Sequence, residues 1–404
     1  MTAPSAPPST DPTPPRVLFV DQSGRLGGAE LYLLDVAHPY RDSGRVVLFE
    51  DGPFADALDT AGIPTTLLIP PAEMRRVRKQ DGLWALLRAL PGLIGTVARL
   101  ARLARPHDLL FANTQKALLV AGLAGWWAGR PVIWNLHDLL TDDHFTALNR
   151  RAAVWGANAL ATHVIANSEA SRQAFAAAGG RVPTSVVYNG IDPAPFDAVP
   201  PAAAASLRTK LGMGDAPLVG VFSRLAAWKG QHVLIEALAA LPGVHALLVG
   251  DALFDGDHAY ADHLRRRAAE LGLTDRVHFL GFRDDVPALM TACDVIAHTS
   301  VAPEPFGRVI VEGLLAGRPV VATRGGGAVE IVEDGRTGRL VPPNDPEALG
   351  HTLSSLLNAP HDAAALAQAG RRRARRLFSP DTMRKGVAAA LTRTLSSNGS
   401  SPPE

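Results

Sequence analysis

One cysteine in 404 residues leaves Cys293 nothing to pair with inside the chain. That excludes an intrachain disulfide framework and accords with a reducing, cytoplasmic setting. Cys293 sits in the apolar run ALMTACDVIAH, where a thiol is expected to be buried and inert. Net charge is almost absent too: 40 Lys+Arg against 39 Asp+Glu gives +1. No bulk field exists to hold nucleic acid. No uncharged apolar run reaches the roughly 18–20 residues that a membrane span requires. The longest candidate, residues 117–134, is interrupted by Gly122, Gly125, Gly129, Arg130 and Pro131. Zinc spacings, a G-x-S-x-G elbow and a Walker sequence are missing. The DGD at Asp255 to Asp257 has no partner cluster and reads as a polar loop, so no metal is expected. The opening MTAPSAPPSTDPTPP has neither a positive nor an apolar signal region. Residues 1–15 read as a disordered Pro-rich lead, and residues 396–404 as a tail of the same kind.

What is present is ample core. Apolar residues make up 47% and charged residues 20% of a chain long enough for two domains. Short β-rich runs alternate with helical spacing: RVLFVDQ, then AELYLLDVAHPY, then VVLFE, ADALDTAG and PTTLLIP. DLLFANT, PVIWNLH, HVIANS and TSVVYNGID continue the series. The alternation pauses at residues 193–216, Pro- and Ala-rich, which read as a linker with one short helix. It resumes with PLVGVFSR, VHALLVGD, RVHFLG, DVIAHTS and PVVAT, each followed by a helix. The pattern predicts an α/β chain of two doubly wound, Rossmann-like domains, residues 16–192 and 217–378. In such sheets ligands bind at the carboxyl ends of strands, so the expected site is a central cleft that the two domains face.

Residues 75–105 stand apart: a basic stretch with Leu, Trp and Ile at helical spacing. Pro91 and Gly92 predict two helices. It reads either as a surface helix packed on the sheet or as an element on an anionic membrane surface.

Several residues fall where chemistry is expected. Glu304 follows the strand DVIAHTS, and Pro305 leads into the helix FGRVIVEGLLAG. The unpaired amides near Phe306, Gly307 and Arg308 form an anion site at the positive end of the helix dipole. Glu312, placed about two turns in, suits a ribose diol or an ion pair with Arg308. On spacing alone the plainer reading leads: a dipole acid and a surface ion pair. Arg224 ends a strand and Lys229 starts the next helix, which suits a diphosphate, although two exposed basic residues would also satisfy the pattern. Gly27 and Gly28 open a helix after a strand. His137 ends another strand, beside Asp138. Gly325 to Gly327 precede a helix carrying Glu330, which reads as a tight turn or as a ligand contact.

Together these segments resemble the retaining glycosyltransferases of family 4, of GT-B fold, from about Arg16 to Leu395. FSRLAAWKG, VHFLGFRDDVPALMTACDVIAHTS, the E-x(7)-E element EPFGRVIVE and GGGAVEIVEDGRTGRLVPPNDPEAL carry the likeness in the second half. GGAE, NLHD, VIANSEASR and VVYNGID carry it in the first. The resemblance implies a hexosyltransferase moving sugar from a UDP-, GDP- or ADP-sugar to a glycan or lipid-linked acceptor, with retention and without metal. Glu304 and the Phe306 and Gly307 amides would hold the donor sugar and phosphates, and Glu312 the ribose. Arg224 and Lys229 would neutralise the diphosphate. Gly27 and Gly28 would touch the donor, His137 would sit near the reacting sugar, and Phe279, Leu280 and Gly281 would lie beside the base. A final helix, residues 379–395, would cross back to the first domain. Trp228 stands where some relatives carry a cation. A cytoplasmic protein, peripheral on the inner membrane face, is implied. The alternatives are a sugar-phosphorolysing enzyme on the same fold and a nucleotide-sugar sensor without turnover.

Overall fold

The computed structural model describes residues 14–71, 83–253 and 255–398. The lead and the tail therefore fall mostly outside the described residues, as do residues 75–82 of the basic segment. Among the described residues, thirteen strands form two sheets. The first contains β1 (Val17–Asp21), β2 (Arg45–Leu48), β3 (Thr65–Leu67), β4 (Leu109–Ala112), β5 (Val132–Leu136), β6 (His163–Ala166) and β7 (Thr184–Val186). Its order is β3-β2-β1-β4-β5-β6-β7. The second contains β8 (Leu218–Phe222), β9 (His245–Val249), β10 (Val277–Gly281), β11 (Val295–His298), β12 (Val320–Thr323) and β13 (Arg339–Val341), in the order β10-β9-β8-β11-β12-β13. The pairings within the second sheet are all parallel. Each sheet reverses its strand order beside its first strand, the doubly wound arrangement expected from the alternation.

The strands are short and apolar because helices cover both faces of a parallel sheet. β1, β4, β5, β8 and β11 are buried along their whole length. One core cluster beneath the second sheet joins Phe222, Leu289, Ile296, Ile310, Leu314 and Phe378, and another on its other side joins Val221, Leu234, Leu248, Leu264 and Leu353. Cys293 lies in the first of these, buried, with its thiol pushed up to about 12 by burial.

The chain divides into two compact units. One comprises the residues up to Asn135 with Gly156–Val164 and those from Ala388 onward; the other comprises Leu136–Trp155 and Ile165–Val387. The last helix, Pro380–Asn398, thus begins in the second unit and ends in the first.

Two local expectations need correction. The segment around Pro91 forms one helix, Leu83–Ala104, rather than two. Packing against the helix Gln115–Ala128 outweighs the local penalty of Pro91. The stretch 193–216 holds two helices, Ala194–Asp197 and Pro201–Lys210. Pro at the first turn of each is tolerated there because those N–H groups have no helical partner.

Candidate active site

Glu304 is 7% exposed, and its Oε1 is the meeting point of three side chains. Lys229 Nζ donates to it at 2.6 Å and His298 Nε2 lies at 2.8 Å. The Ser300 hydroxyl donates to the same oxygen. Burial pushes this carboxyl up, but the charges and hydrogen bonds of His298 and Lys229 outweigh it and hold it well below the usual carboxylate range. Among the described residues, Oε2 accepts no hydrogen bond. The site therefore presents an ionised carboxylate with one oxygen anchored and one available.

The surrounding backbone explains how the pair is held. β8 and β11 are neighbours, and the loops leaving their carboxyl ends are stitched together. Thr299 Oγ1 donates to the Lys229 carbonyl at 2.9 Å, and Val301 N donates to the Trp228 carbonyl at 2.8 Å. Lys229 closes a short 3₁₀ turn, Ala227–Lys229, and the helix Gln231–Leu238 begins only after Gly230. Gly230 has φ +66°, and a Cβ there would come within 2.1 Å of the Thr299 carbonyl oxygen, so only glycine lets the two loops touch.

The triple glycine performs the same service on the other side. Gly326 has φ +54°, and a Cβ would lie 2.0 Å from the Glu304 carbonyl oxygen. Gly327 N donates to that oxygen at 2.9 Å. Gly325 to Gly327 therefore brace the Glu304 turn from behind. Glu330, next along, reaches the start of the helix Glu169–Ala177, where its carboxylate accepts from the Glu169 and Ala170 amides at 2.8 Å each. The structure commits the Glu330 carboxylate to this cap, a use that neither reading of the sequence included.

The helix after Glu304 runs from Arg308 to Leu315, with Gly307 (φ +104°) as its N-cap. Glu312 therefore lies one turn in, not two. Among the described residues no acceptor takes up the N–H of Phe306, Gly307 or Arg308, so the anion-attracting start is present. Phe306 itself is buried against Tyr188 and Phe378. Burial raises the proton affinity of Glu312, opposed by Arg308, whose Nη2 is 3.7 Å from Glu312 Oε1.

Arg224 leaves β8 and faces Asp257, Nε to Oδ2 3.4 Å. Asp257, from the DGD dismissed as a metal site, is thus the counter-charge of a predicted phosphate ligand. His137 follows β5, and burial together with the Arg308 charge lowers its pKa to about 4, so it is neutral near pH 7. Phe279, Leu280 and Gly281 end β10, where the Arg265 guanidinium lies 5.0 Å from the centre of the Phe279 ring. Gly281 (φ +65°) accepts a hydrogen bond from Gly250 N at 2.8 Å.

Gly27 and Gly28 belong to the first unit. Gly27 caps the helix Gly28–Ala37. The loop before it is anchored by Asp21, which accepts from Ser23 N at 2.9 Å and from Asn113 Nδ2 at 2.6 Å. Asn135 Nδ2 donates in turn to Asn113 Oδ1 at 2.9 Å. Burial lifts Asp21 to about 6 despite these bonds. This ladder across the ends of β1, β4 and β5 escaped notice in the sequence, where each member is a single polar residue closing an apolar run.

Three further residues were missed. His298 and Ser300 were read only as part of a strand. His144 places Nε2 2.7 Å from the Pro303 carbonyl, adjoining Glu304, and packs edge-on against Trp228 with ring centres 5.4 Å apart. Lys229 Nζ lies 4.2 Å from the centre of the Trp228 ring. The residue that departs from the cationic pattern therefore supports Lys229 by its π face. Among the described residues, no three His, Cys, Asp or Glu side chains gather as a metal site.

Two Rossmann-like parallel-sheet domains, with an acid–lysine pair at the strand ends of the second, define a GT-B transferase. Residues 205–373 match the family described as Glycosyl transferases group 1, and residues 26–195 the one described as Glycosyltransferase Family 4. The chain belongs to this family of glycosyltransferases, and it is an enzyme of that class. The crystal structure of Anabaena HepE in complex with UDP superposes with a TM-score of 0.85 at 44% identity, covering 94% of this chain and 100% of that one. HepE in complex with UDP-glucose gives the same values. A GDP-mannose-dependent alpha-(1-6)-phosphatidylinositol monomannoside mannosyltransferase from Mycolicibacterium smegmatis is 32% identical over 330 residues, 76% of this chain and 77% of that protein.

Proposed function

We propose that the protein transfers a hexosyl group from a nucleoside-diphosphate sugar, UDP-hexose foremost, to a glycan or lipid-linked acceptor. Transfer proceeds with retention and without a divalent metal. The observation that carries this reading is the anchored Glu304 carboxylate beside Lys229 at the carboxyl ends of β11 and β8. UDP and UDP-glucose in HepE, at 44% identity, favour uridine over guanosine. The mannosyltransferase relative keeps GDP-mannose in the screen.

In this reading Glu304 Oε2 accepts a sugar hydroxyl while Oε1 stays locked to Lys229. Charge builds on the departing diphosphate as the transition state gains oxocarbenium character. Lys229, Arg224 and the open amides at Phe306 to Arg308 stabilise that charge. These cations take the place a metal would hold, so EDTA is expected to leave the rate unchanged. Neutral His137 donates or accepts a hydrogen bond near the reacting sugar without adding a cation there. Glu312 takes the ribose hydroxyls.

Thermal shift with UDP-, GDP- and ADP-sugars tests the donor. Transfer or hydrolysis of the donor that binds tests the reaction, and both are expected to collapse in Glu304→Ala. Unchanged turnover in that variant would overturn the assignment.

Peripheral membrane attachment belongs to the same proposal. Ile94, Trp126 and Trp127 of the first unit are 57%, 83% and 51% exposed; Arg99 and Arg102, on the helix of Ile94, and Arg105 directly after it are exposed too, whereas the two tryptophans lie on the helix Gln115–Ala128. Interfacial aromatics with basic residues suit an anionic lipid surface. Among the described residues no helix is long and apolar enough to cross a membrane.

A further inference from the structure

The charges in the site are unevenly partnered. Lys229, expected to neutralise a diphosphate, already donates to Glu304 at 2.6 Å, and Arg224 faces Asp257 at 3.4 Å. A third cation, Arg308, stands beside them. Its Nη1 is buried and, among the described residues, has no hydrogen-bond partner. Its facing acid, Glu312, stands 3.7 Å from the other guanidinium nitrogen, beyond a good hydrogen bond. A buried charged donor without an acceptor is costly, so the pattern points to an acceptor supplied by a ligand.

The position says which ligand. Arg308 is the first residue of its helix, directly after Gly307 and the open amides of Phe306 and Gly307. It lies in sequence between Glu304 and Glu312. A helix start followed directly by a guanidinium fork selects an oxyanion. We propose that Arg308 is a third cation for the donor's diphosphate, donating from Nη1 to a phosphate oxygen and stabilising the leaving group. This rests on the nucleotide-sugar reading above. The charge of Arg308 also helps keep His137 neutral, so the same side chain serves the diphosphate and the reacting sugar's neighbourhood.

Calorimetric titration of the full chain tests it. Wild type, Arg308→Met and Arg308→Lys are titrated with UDP, GDP and ADP, and with the nucleoside of whichever binds. The expected result is a loss of about ten- to hundredfold in diphosphate affinity for Arg308→Met. Nucleoside affinity holds to within about twofold, and Arg308→Lys recovers part of the loss. Retained nucleoside binding shows that the variants are folded; if Arg308→Met is not, Arg308→Gln replaces it. Equal diphosphate affinity in wild type and folded variant overturns the role of Arg308 and leaves the nucleotide-sugar reading standing. Failure of wild type to bind any of the three diphosphates overturns both.

Discussion

Lys229 and Glu304 are 75 residues apart in sequence and 2.6 Å apart in space, Nζ to Oε1. The pair is largely buried, with 15% and 8% of the side chains exposed. Its geometry depends on loops from two adjacent parallel strands, and its electrostatics on His298 and Ser300.

Removing the lysine strands a buried carboxylate. Lys229→Met is expected to destabilise the fold by about 3 kcal/mol, measured by urea unfolding. Lys229→Met with Glu304→Gln is expected to regain most of that loss, because the uncompensated charge disappears. A double variant no more stable than the single one would show that Glu304 is not the partner that matters.

The same carboxylate gives a pH signature. The folded pKa of Glu304 is depressed, so its stabilisation is present above the unfolded value of ordinary glutamate and is lost as pH falls through the folded value. The difference in Tm between wild type and Glu304→Gln is therefore expected to shrink below about pH 4.5. A constant difference down to pH 3 would contradict the depressed value.

His137 behaves in the opposite chemical sense with the same slope. Burial first, then Arg308, lowers it to about 4, so between that value and about 6.5 the unfolded chain binds a proton the folded one does not. Stability contributed by neutral His137 is lost as pH falls through that window. NMR titration of the His137 ring, assigned with His137→Gln, is expected to show a neutral imidazole at pH 5.5. A midpoint near 6.5 would refute it.

Two of the glycines with positive φ separate strain from collision. At Gly335 (φ +73°) a Cβ meets nothing within 4 Å, so alanine is expected to cost only about 1 kcal/mol of backbone strain. At Gly326 a Cβ would strike the Glu304 carbonyl at 2.0 Å, so alanine must displace the Glu304 turn. Gly326→Ala is expected to lose both Tm and donor turnover, whereas Gly335→Ala keeps turnover.

Glu330→Ala removes the acceptor for two amides at the start of Glu169–Ala177. A loss of about 1–2 kcal/mol is expected. Faster hydrogen exchange confined to that helix would verify it, and unchanged exchange would not.

Trp126 provides an optical readout of the membrane proposal. Anionic vesicles at low salt are expected to shift tryptophan emission to the blue, and salt to reverse the shift. Trp126→Ala with Trp127→Ala is expected to abolish most of the shift.

Much of this protein was legible in one dimension. The alternation of short buried strands with helices determined two doubly wound sheets, because the period of apolar residues reports directly which faces are covered. Glu304, Lys229, Arg224 and His137 could be singled out because residues that close a parallel strand fall at its carboxyl end. What only the tertiary structure decided is who meets whom. Lys229, expected to face a phosphate, also holds Glu304. Asp257 was set aside and instead faces Arg224. Gly325 to Gly327 could serve a turn or a ligand, and they brace the Glu304 carbonyl. Pro91 was expected to break a helix that packing keeps whole. In each case the deciding term is a contact between segments far apart in the chain, made where parallel strands end side by side. Local pattern carries no record of that register.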